Sequence, residues 1–378
     1  MIKYVGVDDL NIDLFEGQYV VKNGMSYNSY IIIDNKICVM DTVDSLFANE
    51  WLENIKRVLN KKVPDYLVVH HVEPDHSGSI EAYFKRYPST KLVTNAKALA
   101  MLKQFYPRLS LENVVEIKDG DVLELGKSDN LKFVFAPMVH WPEVMVSVDT
   151  GNGILFSADA FGKFGALKFE DNWDDEARRY YYGIVGKYGA QVQALIKKLT
   201  PFNVKAIAPL HGPILKDTLP HVFELYNKWS TYTPEDNGIC IFYASVYGNT
   251  KKVCMRLYEQ LAMKNSEIID LSRFDLSEAV SKAFYYKKIV LATPTYNGDI
   301  FPAMKVFLDA LKERNYQGRS IALIENGSWA PIANKKMKEY IETSFKNCQI
   351  LPQMVTIKGS LNADVVNQLN ILTNDLKK

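Results

Sequence analysis

With 378 residues the chain is long enough for two sizeable domains. Its 45 Lys and Arg against 44 Asp and Glu are nearly balanced, which argues against nucleic acid or an acidic lipid surface as its main partner. The amino terminus has no charged-then-apolar leader and no apolar run reaches membrane-spanning length, so the expectation is a cytoplasmic protein without a membrane partner.

The first informative element is the run 66–69, Tyr-Leu-Val-Val, whose continuous apolar character predicts an interior strand. The segment after it then lies at the strand's carboxyl end, where α/β sheets carry their chemistry. That segment is His71-Val72-Glu73-Pro74-Asp75-His76, with four ligand-type residues in six, in a chain with six histidines. On extended backbone alternate residues point one way, so His71, Glu73 and Asp75 are expected to converge while His76 faces the other side of a site. The plain alternative is a solvated polar loop. Two histidines and two carboxylates at this spacing, beside Pro and Gly, argue against it.

The same unit recurs further along. The apolar run 131–135 leads to His140, followed by Trp141-Pro142; 153–158 leads to Asp159; and 206–210 leads to His211, followed by Gly212-Pro213. Taken singly, each histidine reads more often as structural and the aspartate as a turn or cap residue. As a set, each places a ligand-type residue at the end of a strand. His70 and His221 fall outside this pattern and read as structural.

A His-x-Glu-x-Asp-His cluster followed by distant His, Asp and His resembles the metallo-β-lactamase superfamily. Hydrolases of that superfamily read His-x-His-x-Asp-His, and here Glu73 stands at the second histidine. The resemblance implies an αββα sandwich over residues 1–235 and a two-metal site. His71, Glu73 and His140 would bind one metal and Asp75, His76 and His211 the other, with Asp159 as the bridge; whether His76 binds directly stays open. Three carboxylates favour a hard, redox-capable metal such as iron over zinc. Tyr27 and Trp141 are candidates for the groups above the metals, with core packing as the other reading of each.

Residues 231–238, Thr-Tyr-Thr-Pro-Glu-Asp-Asn-Gly, read as a short linker. Beyond them strand candidates at 239–244, 267–271, 288–292, 320–324 and 348–357 alternate with helical patterns at 249–264, 275–283, 302–313 and 331–346. Five strands alternating with helices predict a doubly wound parallel sheet. The first strand runs into Ser245-Val246-Tyr247-Gly248-Asn249-Thr250, whose hydroxyls, amide and flexible glycine would wrap a terminal phosphate at a helix amino terminus. The loop is neither a Walker A sequence nor a GxGxxG turn, and a capped helix start is its plain reading.

Two later loops, 293–298 and 325–329, follow the third and fourth strands on the same sheet edge. The three loops together resemble flavodoxin, which implies FMN. Ser245, Tyr247, Gly248, Asn249 and Thr250 would hold its phosphate. Pro294, Thr295, Tyr296, Asn297 and Gly298 would line one side of the flavin, and Asn326, Gly327, Ser328 and Trp329 the other. Glu325 and Trp329 depart from the usual small-residue wording of the third loop.

Cys38, Cys240, Cys254 and Cys348 are scattered without CxxC spacing, and read as buried thiols in a reducing compartment. With no CxxC pair the chain is expected to have no rubredoxin-like extension, so its electrons come from a separate carrier. Taken whole, the chain resembles the flavodiiron proteins, also called A-type flavoproteins, in which a metallo-β-lactamase-like domain precedes a flavodoxin-like one. The resemblance implies reduction of O2 to water, of NO to N2O, or of both, at two Fe ions per chain, with FMN as the local electron store. It also implies a separate donor, rubredoxin-like or a flavin reductase, and a head-to-tail homodimer with a tetramer as the alternative. Two other classes stay open: a zinc metallo-hydrolase fused to a flavodoxin module, and a plain FMN electron carrier with an empty first domain. Metal analysis separates the first, and turnover by metal-loaded protein the second.

Overall fold

The run at 66–69 does form an interior strand. Tyr66–Val68 pairs in parallel with Ile37–Met40 on one side and Lys91–Asn95 on the other, and Leu67 and Val68 are fully buried. In this computed structural model, which describes residues 2–110, 113–170 and 172–378, it lies within a six-stranded sheet. The order is Ile2–Tyr4, Tyr30–Ile33, Ile37–Met40, Tyr66–Val68, Lys91–Asn95, Val114–Ile117. A second sheet of five strands runs Val122–Glu124, Asn130–Phe135, Met145–Asp149, Ile154–Phe156, Ala206–Ala208. Ile32, Met40, Val68 and Val93 of the first sheet share one apolar core with Phe133, Met145, Phe156 and Ala208 of the second. Amphipathic helices add further layers: Ala48–Leu59 buries Trp51, Ile55 and Leu59, and Gly189–Leu199 buries Val192, Leu195 and Leu199. This is the expected αββα sandwich.

The chain divides into two units, Met1–Asn227 and Lys228–Lys378. In the second, a parallel sheet has the order Ser266–Asp270, Asp236–Tyr243, Tyr286–Tyr296, Ser320–Asn326, followed by the short strands Gln349–Ile350 and Val355–Ile357. In chain order this is 2-1-3-4-5, the flavodoxin-like arrangement, and it places a crevice at the carboxyl ends of the first and third strands. Ile239, Ile241, Val290 and Ala322 on one face pack against Val253 and Leu257 of helix Asn249–Leu261 and Leu369 and Leu372 of helix Ala363–Lys377.

Four details depart from the sequence reading. The third strand runs on through 293–296 and turns back at Asn297 (φ 50°) and Gly298 (φ 72°), so that Thr295 pairs with Ile300 and Tyr296 with Asp299. Two positive-φ residues closing a two-residue hairpin make a type I′ turn, for which Asn-Gly is the preferred pair. The predicted strand 348–357 is broken around Pro352, which lacks an N–H for the ladder, and its two halves pair separately with Ser320–Asn326. The helix expected over 249–264 ends at Leu261, where Ala262 turns left-handed. The closing helix Ala363–Lys377, capped by Asn362, has no counterpart among the predicted helices.

The division between units falls before 231–238, because that segment is tied into the second sheet. The buried Arg319 guanidinium donates to the main-chain carbonyls of Tyr232, Phe284, Tyr286 and Gln317, and the Tyr232 ring packs 6.4 Å from Phe284. Replacing Arg319 with Met would leave these carbonyls without their donor. We expect a loss of about 3 kcal/mol in urea unfolding of this unit. A change under about 0.5 kcal/mol would show that water takes over the clamp.

Candidate functional site

Seven side chains from the ends of these strands converge in the first unit. His71, Glu73, His140 and Asp159 form one group and Asp75, His76 and His211 a second, each with ligand atoms within 4.8 Å of one another. Asp159 faces both. Its Oδ2 lies 3.2 Å from His71 Nε2 and 3.1 Å from His140 Nε2, and its Oδ1 lies 3.0 Å from His76 Nε2 and 3.6 Å from His211 Nε2. Glu73 Oε2 closes the first group, 3.1 Å from His71 Nε2 and 2.9 Å from His140 Nε2. Asp75 Oδ2 closes the second, 3.3 Å from the Nε2 atoms of both His76 and His211.

The structure brings all seven predicted ligands together, but not by the expected alternation. Pro74 opens a helical turn, Pro74–Ser77, in which the N–H groups of His76 and Ser77 donate to the Glu73 carbonyl. The turn carries Asp75 away from His71 and Glu73 to the side of His76. Each group therefore owns one carboxylate and shares Asp159.

Both oxygens of Asp75 and of Asp159, together with Nε2 of His76 and of His211, are buried without a hydrogen-bond partner. Buried polar atoms are ordinarily paired, and leaving several unpaired at one point is costly. A pair of cations would satisfy them. Imidazole and carboxylate donors without a thiolate suit a first-row metal such as iron, so the residues present fit a di-metal centre.

In the second unit, a cavity of about 420 Å³ opens at the carboxyl edge of the parallel sheet. All the predicted flavin residues line it except Gly248, and Val246, Ala330 and Gly359 are added. Gly248 (φ 82°) instead caps helix Asn249–Leu261 and donates its N–H to Ser245 Oγ at 3.1 Å, which shapes the loop whose backbone would meet a phosphate. Thr295 lines the cavity, but its Oγ1 accepts from the N–H groups of Ile332 and Ala333 at the start of helix Ala333–Ser344. Glu325 is turned inward, accepting from Asn334 N at 3.0 Å and Thr356 Oγ1 at 2.9 Å, so its departure from the usual wording serves the core. Of the three aromatics that line this opening, Tyr247 and Trp329, 91% and 83% exposed, stand out further than Tyr296.

Residues 25–212 match the model of the ODP family beta lactamase, and residues 240–370 match that of a flavodoxin domain. An anaerobic nitric oxide reductase flavorubredoxin from Aliivibrio fischeri is 30% identical over 342 residues, covering 87% of this chain and 68% of the relative. The protein of that description from Escherichia coli K12 is 30% identical over 345 residues, 87% of this chain and 71% of its own. Rubredoxin oxygen:oxidoreductase from Desulfovibrio gigas superposes with a TM-score of 0.91 at 25% identity, over 99% of this chain and 96% of the other. The Giardia intestinalis flavodiiron protein does so with a TM-score of 0.92 at 23% identity, over 99% and 94%. The chain belongs to the flavodiiron proteins.

As a flavodiiron protein it is an oxidoreductase whose cofactors are FMN and a pair of irons. Several residues around the centre escaped the sequence reading. Glu143 accepts a hydrogen bond from His71 Nδ1 at 2.7 Å and one from Val72 N at 3.0 Å, and the Ser26 carbonyl accepts from His211 Nδ1 at 2.6 Å. The rings of Phe15 and Tyr180 lie 5.4 and 5.5 Å from that of His211. The two aromatic candidates do border the site: Tyr27 lies 5.9 Å from His211, and Trp141 lies 5.2 Å from His71 and 6.0 Å from His140. His70 is bonded at both ring nitrogens, to Asp41 at 2.6 Å and Ser147 at 2.8 Å, and His221 is exposed beside Asp174.

Charge is tightly coupled among the ligands when no metal is bound. Burial works to raise the Asp159 carboxyl, yet the close imidazoles of His76, His140 and His71 hold it well below the usual range. Burial likewise pulls His140 down, but Asp159 and Glu73 outweigh it and push the ring up to about 9. A raised histidine stabilises the fold fully below its ordinary 6.5, and that contribution is lost as pH rises through about 9. The lowered carboxyls act in the other direction, contributing above the ordinary carboxylate range and losing their effect as pH falls below it. Chelator-treated protein should therefore be most stable between about pH 5 and 6.5 and lose about 3 kcal/mol by pH 10, whereas iron-loaded protein should not. Thermal unfolding of both forms across pH 5 to 10 checks this, and parallel profiles would refute it.

Proposed function

We propose that this flavodiiron protein reduces O2 to water, NO to N2O, or both, in the cytoplasm, drawing electrons through FMN from a separate rubredoxin-like or flavin reductase donor. The observation that carries the reading is Asp159, whose two carboxylate oxygens face two separate ligand groups, each with a carboxylate of its own. His71, Glu73 and His140 would hold one iron and Asp75, His76 and His211 the other, with Asp159 shared between them. Direct binding by His76 is supported by its Nε2, 3.0 Å from Asp159 and 3.3 Å from Asp75.

When bound, the two irons and FMN supply the stored electrons, four for O2 and two for a pair of NO molecules. The chain's own residues do the rest. Glu143 and the Ser26 carbonyl fix the outward nitrogens of His71 and His211, which aims each Nε2 inward. Phe15, Tyr27, Tyr180 and Trp141 wall the centre with aromatic surface and limit water there. Two small substrate molecules confined at adjacent positions gain the rate advantage of proximity.

In the second unit Ser245, Asn249 and Thr250 would hold the phosphate of FMN, with Tyr247 beside it and Gly248 setting the turn. Pro294 to Gly298 and Asn326 to Trp329 face the ring system. The flavin cavity and the metal centre belong to different units of the chain. A head-to-tail homodimer would bring the FMN of one copy to the irons of its partner, and a tetramer would repeat that pairing. The exposed Tyr247 and Trp329 offer aromatic surface for such a partner.

A zinc hydrolase fused to a flavodoxin module is the weaker reading, because Glu73 stands where such a hydrolase carries a histidine. Purified protein should contain about one FMN and two irons per chain and, given one donor reduced under anaerobic conditions, consume added O2 or added NO. Iron-loaded, FMN-bound protein that consumes neither gas would sink the proposal.

A further inference from the structure

The ligand histidines are not backed alike. His71 Nδ1 donates to a carboxylate, Glu143 Oε1, at 2.7 Å, whereas His211 Nδ1 donates to a neutral main-chain carbonyl, that of Ser26, at 2.6 Å. His76 Nδ1 is buried with no hydrogen-bond partner. Glu143 itself is only 2% exposed. Its Oε1 also accepts from Val72 N at 3.0 Å, and its main-chain carbonyl accepts from Asn95 Nδ2 at 2.7 Å, so the group is fixed in place.

Counted by direct ligands the two positions are matched: each has one carboxylate, two imidazoles and a share of Asp159. The inequality lies one bond further out. A carboxylate behind an imidazole fixes its tautomer and makes it a stronger donor, and outer partners of this kind typically change metal affinity about 10- to 100-fold. A neutral carbonyl fixes the tautomer while adding no charge, and an unpartnered nitrogen does neither. A stronger donor with negative charge behind it favours the higher-valent ion.

Resting on the di-iron reading above, we infer that Glu143 is a positioning residue that makes the two iron positions unequal. In the half-reduced pair the ferric ion sits with His71, Glu73 and His140 and the ferrous ion with Asp75, His76 and His211. The first electron passed from FMN to the oxidised pair thus comes to rest on the second position, and the next reduces the position backed by Glu143. Each step moves one electron and makes or breaks no bond.

The test starts with the wild-type holoenzyme, reduced by one electron per iron pair in the crystal, with the X-ray absorption edge refined separately for each iron. The edge at the His71 position should lie higher in energy. Equal or reversed edges overturn the inference while leaving the di-iron reading intact. Absence of iron from the wild type overturns both. The second arm is a redox titration of Glu143→Gln beside Glu143→Asp. Glu143→Gln should raise the lower of the two iron potentials, narrow the gap and reduce the yield of the half-reduced form. It should also weaken iron retention at one position about 10-fold or more, with FMN content unchanged. Glu143→Asp, which keeps the charge, should recover part of the gap. A gap that widens or stays constant in Glu143→Gln would mean that Glu143 does not set the inequality.

Discussion

Replacing Asp159 with Ala should empty both iron positions at once. No other carboxylate of the ligand set stands against histidines of both groups: Oδ2 serves His71 and His140, Oδ1 serves His76 and His211. Its loss would remove one ligand from each iron and the carboxylate that the two positions share. Iron should fall from about two to well below one per chain and turnover by more than about 100-fold, since even outer partners of metal ligands cost 10- to 100-fold in affinity or activity. Asp75→Ala provides the contrast. It touches only His76 and His211, so it should release one iron and leave the other. Elemental analysis of both variants beside flavin absorbance checks the difference. Two irons and full turnover in Asp159→Ala would show that the carboxylate does not span the pair.

Much of this centre was legible in the sequence because each ligand lies at or just beyond the carboxyl end of a buried strand. Tyr66–Val68 leads to His71, Ile154–Phe156 to Asp159 and Ala206–Ala208 to His211. Strand periodicity is a local property of the chain and survives without tertiary information. What misled was the assumption that 71–76 stays extended. The proline that starts the helical turn was visible at position 74, and reading it as a first helical residue would have placed Asp75 beside His76. The Asn297-Gly298 pair was equally local, and it marks a hairpin that lengthens the strand before it.

Other residues carry no local signal. Glu143 lies three residues after His140, yet its partner is His71, and only the folding of one sheet over the other brings the two together. Gly359 lines the flavin cavity from the loop after the last strand, beyond the three loops that the sequence singled out, and it pairs with Asn326 at 3.3 Å. The spent hydroxyl of Thr295 is of the same kind. A side chain in a cavity wall can be committed to a helix start, and no motif distinguishes that from a ligand contact.

The residue that separates this centre from a hydrolase site is Glu73, and its replacement by His should change the metal and abolish the chemistry. Glu73 Oε2 sits 2.9 Å from His140 Nε2 and 3.1 Å from His71 Nε2. With an imidazole in its place this group would contain three histidines and only the shared Asp159 carboxylate. Removing one anionic oxygen donor makes the position softer and less able to support a ferric ion, which shifts its preference toward zinc. Zinc has no accessible redox change, so O2 or NO turnover should fall by more than about 100-fold even if both positions are filled. FMN should stay bound, because its cavity is built from residues of the other unit. Iron, zinc and flavin contents measured beside turnover of added O2 and added NO distinguish this outcome from general unfolding, in which flavin would be lost as well. A Glu73→His protein that retains two irons and wild-type turnover would show that this carboxylate is not an iron ligand.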